Sequence, residues 1–101
     1  MTASIELFME LLPASRAAIA KKLVEVYGLS QKEAGERLGV TQPAISHYTR
    51  NLRGYKASLG GDSRISARIE ELARKLAAGE ITAHEVTTEL FAIFQESPDS
   101  Q

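Results

Sequence analysis

The sequence predicts an all-α fold, a compact five-helix domain, and three observations predict it. Apolar residues nowhere alternate as a half-buried strand requires. Instead they return at steps of three and four over long stretches, the period of a helix with one buried face. Helix-stop glycines and helix-start pairs of Ser or Thr with Glu punctuate those stretches. At 101 residues, 44% hydrophobic and 25% charged, the chain suits one domain.

Taken in order, a short apolar segment from Ile5 to Leu12 precedes Pro13. A helix over 14–27 follows, with Ile19, Leu23, Val26 and Tyr27 on one face and Lys21, Lys22 and Glu25 toward solvent; Gly28 ends it. Ser30 and Glu33 form a capping box for the next helix, and Leu29 just before the cap packs over its start. Ala34, Gly35 and Leu38 make the inward stripe of that helix, the two small residues allowing close approach of a second one. Gly39 suits the left-handed residue that ends a helix, with Val40 plugging the core beneath the turn. Thr41 caps another helix, whose first turn tolerates Pro43 because the missing N–H would be unpaired there. The stretch RGYKASLGGDS, with Gly54, Gly60 and Gly61, reads as a loop, its glycines permitting close approach to a partner backbone. A helix over 63–78 carries Ile65, Ile69, Leu72 and Leu76 and stops at Gly79. Thr82 and Glu85 cap the last helix, with Ile81 facing Val86 as its staple. Residues 61–96 thus form a C-terminal helical hairpin packed in the same domain as residues 1–60, and 97–101 are a polar tail expected to fray.

The helix after Thr41 divides sharply into faces at about 100° per residue. Ile45, Tyr48 and Leu52 fall on one side and point inward. Gln42, Pro43, Ser46, His47, Arg50 and Arg53 fall opposite, within an arc of about 140°. This outer face holds hydrogen-bonding groups and two arginines but no acid, whereas the preceding helix mixes Lys32, Glu33, Glu36 and Arg37. Two helices pinned by a glycine turn, the second with such a face, make a helix-turn-helix suited to base edges and phosphates.

The stretch resembles the helix-turn-helix of lambda-type phage repressors and Cro. The shared features are Gln31 opening the first helix, small residues at Ala34 and Gly35, the turn glycine Gly39, and apolar Leu38, Val40, Ile45 and Tyr48. In that family a Gln at the start of each helix forms a pair that reads adenine, so the resemblance implies this role for Gln31 and Gln42. Two positions depart from the pattern. Gly35 stands where Ala is commoner, and Pro43 replaces a residue often used for a base contact; Pro43 offers only apolar contact, as to a thymine methyl. This resemblance covers about a quarter of the chain. More loosely, the layout from LLPASRAAIAKKLVEVYGLSQKEAG onward looks like small archaeal transcriptional regulators. Longer members of that group add a C-terminal ligand-binding domain. The chain is too short to contain one, so no small-molecule effector is expected.

Composition narrows the alternatives. No cysteine is present, so disulfides and thiolate metal sites are excluded, and two histidines without an acidic cluster make no metal site. No cofactor is expected. Ser46 and His47 are adjacent on a helix and diverge, so they are no catalytic pair. GYKASLGG lacks the spacing of a phosphate-binding loop. A stand-alone enzyme is not expected, because no nucleophile, base and orienting group can be assembled. No apolar run approaches the roughly 20 residues of a membrane span and no leader is visible, so the expected location is the cytoplasm. The net charge of −1 conceals a polarity. Residues 37–68 hold Arg37, Arg50, Arg53, Lys56, Arg64 and Arg68 against Asp62 alone, while 69–101 hold seven acids and two bases. Phosphate binding depends on local positive charge, so the basic middle is expected to face DNA and the acidic third to be held away.

The expected function is sequence-specific binding of double-stranded DNA as a transcriptional regulator, with repression the simplest outcome. One reading helix spans only about four or five base pairs, so a homodimer on a near-palindromic operator is expected, its helices about 34 Å apart. Gln31, Gln42, Pro43, Ser46, His47 and Arg50 face bases or adjacent phosphates, while Thr41, Arg53, Lys56 and Tyr55 hold the backbone. The dimer interface is expected at Ile65, Ile69, Leu72, Leu76, Leu90, Phe91 and Phe94, because the last helix has more than one apolar stripe. Two other uses of the scaffold stay open: a protein-interaction or antitoxin-like adaptor, and the DNA-targeting subunit of a separate enzyme.

Overall fold

The computed structural model describes residues 5–59 and 63–95, and among them the chain is entirely helical. Six helices follow one another: α1 (Ile5–Glu25), α2 (Gln31–Leu38), α3 (Gln42–Arg50), α4 (Leu52–Leu59), α5 (Ser63–Ala78) and α6 (Ala83–Gln95). The all-α class with its helix-turn-helix and C-terminal hairpin is as expected. The count is one higher than five, because the stretch read as a loop after residue 53 coils into α4.

Helix α1 runs straight through Pro13, which was expected to separate a short segment from the helix proper. Proline removes one N–H from the ladder, and the 21-residue helix nevertheless continues on both sides of it. Ala14, Ala17 and Ala20 are fully buried together with Ile19 and Leu23, positions spread around most of the helix, so α1 is a central strut on which the other five helices pack. The C-terminal end differs from expectation. Val26 and Tyr27 were placed on the buried face, but they are 65% and 40% exposed. The helix stops at Glu25, and the N–H groups of both Val26 and Tyr27 turn back to the Lys22 carbonyl. Gly28, at φ 75°, then turns the chain, and Leu29 packs back against the core.

The other boundaries follow the cap chemistry. Ser30 Oγ accepts the Glu33 N–H at 3.0 Å, and the Glu33 carboxylate accepts the Ser30 N–H at 2.9 Å. The pair Thr82 and Glu85 repeats this at α6, at 3.2 and 2.8 Å. Because each carboxylate is held first by a backbone N–H and then by the hydroxyl, Glu33 and Glu85 have pKa values below the ordinary carboxylate value. Helix α5 closes at Gly79 (φ 77°), with Glu80 N–H to Lys75 carbonyl and Gly79 N–H to Leu76 carbonyl, the paired bonds of a Schellman end.

A single core serves both parts of the chain. Leu23 of α1, Ala34 and Leu38 of α2, Ile45 of α3 and Leu52 of α4 pack in one cluster with Ile69, Leu72 and Leu76 of α5 and Val86, Leu90, Ile93 and Phe94 of α6. This corrects the proposed dimer interface. Ile69, Leu72, Leu76, Leu90 and Phe94 are all buried within one chain and cannot line a surface between two. The reason is that α1 and α2 both pack against the hairpin, so α6 meets α1, α2 and α5 and its broad apolar coverage is used internally. Of the seven residues, Phe91 is exposed and Ile65 half-buried.

Candidate nucleic-acid interface

The geometry of the turn between α2 and α3 begins with two glycines. Gly39 takes φ 73°, a left-handed conformation that side chains resist, and its N–H closes onto the Gly35 carbonyl. Gly35 is buried in the middle of α2, where a Cβ would lie 2.7 Å from the Val40 carbonyl oxygen. The departure at this position therefore has a cause: the chain after the turn passes too close for an alanine methyl. Thr41 then takes an extended backbone and accepts the Ala44 N–H on its hydroxyl at 3.2 Å, starting α3 with Pro43 in the first turn. Thr41 is thus occupied as a cap in this structure.

Ile45 is the one fully buried side chain of α3, and Tyr48 packs half-buried against the core. The outer face is as expected for its first two turns. Gln42, Pro43, His47 and Arg50 are exposed, and Ser46 and Gln31 half-buried. The face does not continue to residue 53, however. Helix α3 ends at Arg50, Asn51 caps it, and Arg53 belongs to the first turn of α4. Arg53 is exposed there. Lys56 also lies in α4, and its side chain is outside the described residues.

His47 is bound differently from a free reading residue. Its Nε2 lies 3.0 Å from the Tyr55 hydroxyl, and its Nδ1 lies 3.2 Å from Asn51 Nδ2, which also donates to the His47 carbonyl at 2.8 Å. With Nδ1 accepting from the amide, the neutral ring carries its proton on Nε2 and donates it to Tyr55. The rings of His47, Tyr48 and Tyr55 stand tilted or edge-on with centroids 5.8–6.3 Å apart. His47 therefore braces α3 against α4. Asn51 is the residue missed in the sequence; its four-residue spacing from His47 was the available signal.

These residues surround an open depression of about 500 Å³ at the α3–α4 junction, lined by His47, Arg50, Asn51, Arg53, Gly54 and Tyr55. Arg50 Nε donates to the Ser46 carbonyl at 3.3 Å, which lays the guanidinium along the helix. Among the described residues neither Arg50 nor Arg53 has a carboxylate partner. Two other cations of the basic middle are engaged away from this face. Arg37 donates to the Leu76 carbonyl at 2.9 Å, and Arg68 lies 3.7 Å from Glu89. The acidic third is likewise largely compensated: Glu70, Glu71, Glu80 and Glu89 each face a lysine or arginine. Among the described residues the local contrast in charge is therefore set by Arg50 and Arg53, which have no carboxylate partner, more than by the acids of α5 and α6.

Among the described residues no group of three or more His, Asp or Glu could hold a metal ion. None of the described helices is long and apolar enough to cross a membrane. Compared with known proteins, residues 21–55 match the helix-turn-helix family model of the lambda repressor/Cro type, a family of DNA-binding regulators. The matched segment runs from the last turns of α1 to Tyr55, so it contains α2, α3, the His47 brace and the lining of the depression. Neither curated proteins nor solved structures yield a match.

Proposed function

We propose that this chain represses transcription by binding duplex DNA as a homodimer on a near-palindromic operator. The observation that carries the proposal is the outer face of α3 and its continuation onto α4, where amide and hydroxyl groups adjoin two arginines that have no carboxylate partner among the described residues. Helix α3 would lie in the major groove, with Gln42 and Ser46 on base edges, Pro43 against a thymine methyl and Gln31 paired with Gln42 on an adenine. Arg50, Arg53 and Tyr55 would take backbone phosphates around the depression, Lys56 would take a further one, and together they would set the register. His47 serves this arrangement by bracing α3, in place of the direct base contact its position suggested. Two half-sites would be held together by a second copy. With five of the expected interface residues committed to the core, exposed Phe91 and half-buried Ile65 remain as the contact.

Selection of duplexes from a random library by the purified protein tests the reading. The expected product is an enriched inverted repeat with half-sites about one helical turn apart. Absence of any enriched sequence would overturn specific recognition, and an enriched single half-site would overturn the dimer. Phe91→Glu should yield a monomer by sedimentation that keeps its helicity and loses the avidity of two joined half-sites.

A further inference from the structure

The turn between α2 and α3 is seated on another turn. A Cβ on Gly39 would meet Ala83 Cβ at 3.1 Å, and a Cβ on Gly79 would meet Arg37 Nη1 at 3.1 Å. The α2–α3 turn and the α5–α6 turn are thus in mutual contact, each with a left-handed glycine at the point of approach. Arg37, in the last turn of α2, spans the joint. Its Nη1 donates at 2.9 Å to the Leu76 carbonyl, which also accepts the Gly79 N–H at 3.1 Å. A helix C-terminus carries partial negative charge on its open carbonyls, so a guanidinium placed there completes α5 and ties α2 to it.

The tie matters because the turn sets where α3 begins. Helix α3 is nine residues long, seated on α1 and α2 through Ile45 and Tyr48 and braced to α4 by His47 at its far end. The direction in which its first turn projects Gln42, Pro43 and Ser46 depends also on how the preceding turn is seated. We propose that Arg37 is a positioning residue for recognition, locking the α2–α3 turn onto the α5–α6 turn and thereby fixing the angle at which Gln42, Pro43 and Ser46 meet a duplex. The inference rests on the DNA-binding reading above. It assigns the C-terminal hairpin a part in recognition, and it gives Arg37, one cation of the basic middle, a role within the chain.

The experiment compares the wild type with Arg37→Met, which keeps the aliphatic stem, and Arg37→Lys, which restores a cation. The probes are the highest-affinity duplex selected by the wild type and a random-sequence duplex of equal length. Arg37→Met should weaken the selected duplex by about tenfold, the scale of one lost base discrimination. It should leave the random duplex within about twofold, with the salt dependence unchanged. Arg37→Lys should recover part of the loss. The amide resonances of residues 41–50 should move in Arg37→Met while its circular dichroism stays that of the wild type. Gly79→Ala, which crowds the same guanidinium from the other side, should shift the same resonances. Equal weakening of both duplexes with a flatter salt dependence would make Arg37 a phosphate contact and overturn the proposal. So would unmoved α3 resonances, or a loss of stability with unchanged discrimination. If the wild type selects no duplex, the DNA-binding reading fails first, and that arm is read independently of any variant.

Discussion

Thr41 starts α3 and Thr82 starts α6, and each hydroxyl accepts the N–H three residues on. Both helices lay an apolar face on the same core, through Ile45 in one and Val86, Leu90, Ile93 and Phe94 in the other. Their outer faces then diverge. On α6, Glu85 accepts the Thr82 N–H and Glu89 lies against Arg68, so charge is balanced inside the chain. On α3 and the first turn of α4, Arg50 and Arg53 have no carboxylate partner among the described residues. Net composition conceals this, since the acidic helix is closer to electrostatic balance than its residues suggest. A face that faces a polyanion is recognised by what its own chain leaves uncompensated.

The comparison can be broken most forcefully from the core side. Leu90→Ala should cost about 2–5 kcal/mol of stability in urea titration, since a fully buried side chain leaves a cavity. Gln42→Ala, on the exposed face, should leave stability within about 0.5 kcal/mol. The same substitution should cost about 1–3 kcal/mol of binding to the selected duplex and little on random DNA. Equal losses on the two duplexes would remove Gln42 from base reading. Arg53→Ala should act the other way, weakening both duplexes alike and reducing the slope of log affinity against log salt by about one. A smaller effect concerns the capping carboxylates. Glu33 and Glu85 have pKa values lowered from 4.5 by the hydrogen bonds they accept, so their ionised forms favour the folded state. That contribution is present above the unfolded value and is lost as pH falls through the folded one. The double variant Glu33→Gln and Glu85→Gln should therefore lose part of the difference in stability between neutral and acidic solution. Parallel denaturation curves for wild type and variant at pH 7 and pH 3 would show it, and identical pH dependence would exclude it.

The sequence was most legible where the signal is local. Ser30 with Glu33, Thr82 with Glu85, and the stops at Gly39 and Gly79 each depend on a few consecutive residues, and each has the expected geometry. Helix α4 was missed because LRGYKASL has a central glycine and no acid in its first turn; it is held by Leu52, Tyr55 and Leu59 packing on the core. Extending the reading helix to Arg53 failed for a related reason, since Asn51 ends α3 with a bond to the His47 carbonyl that periodicity does not register. Periodicity also identifies which side chains leave water without saying what covers them. Ile69, Leu72, Leu76, Leu90 and Phe94 were assigned to a second copy on that basis, and the same chain covers them. The glycines at 60 and 61 and the tail at 97–101 lie outside the described residues.

Ile45, Tyr48 and the His47 brace hold α3, while Gln42 and Pro43 are exposed and Ser46 is only half-buried. A surface that contributes so little to folding is free to change its vocabulary. On the proposed reading, substitutions at those three positions would re-address the protein to a different sequence while the caps, the glycine turn and the core remain as they are.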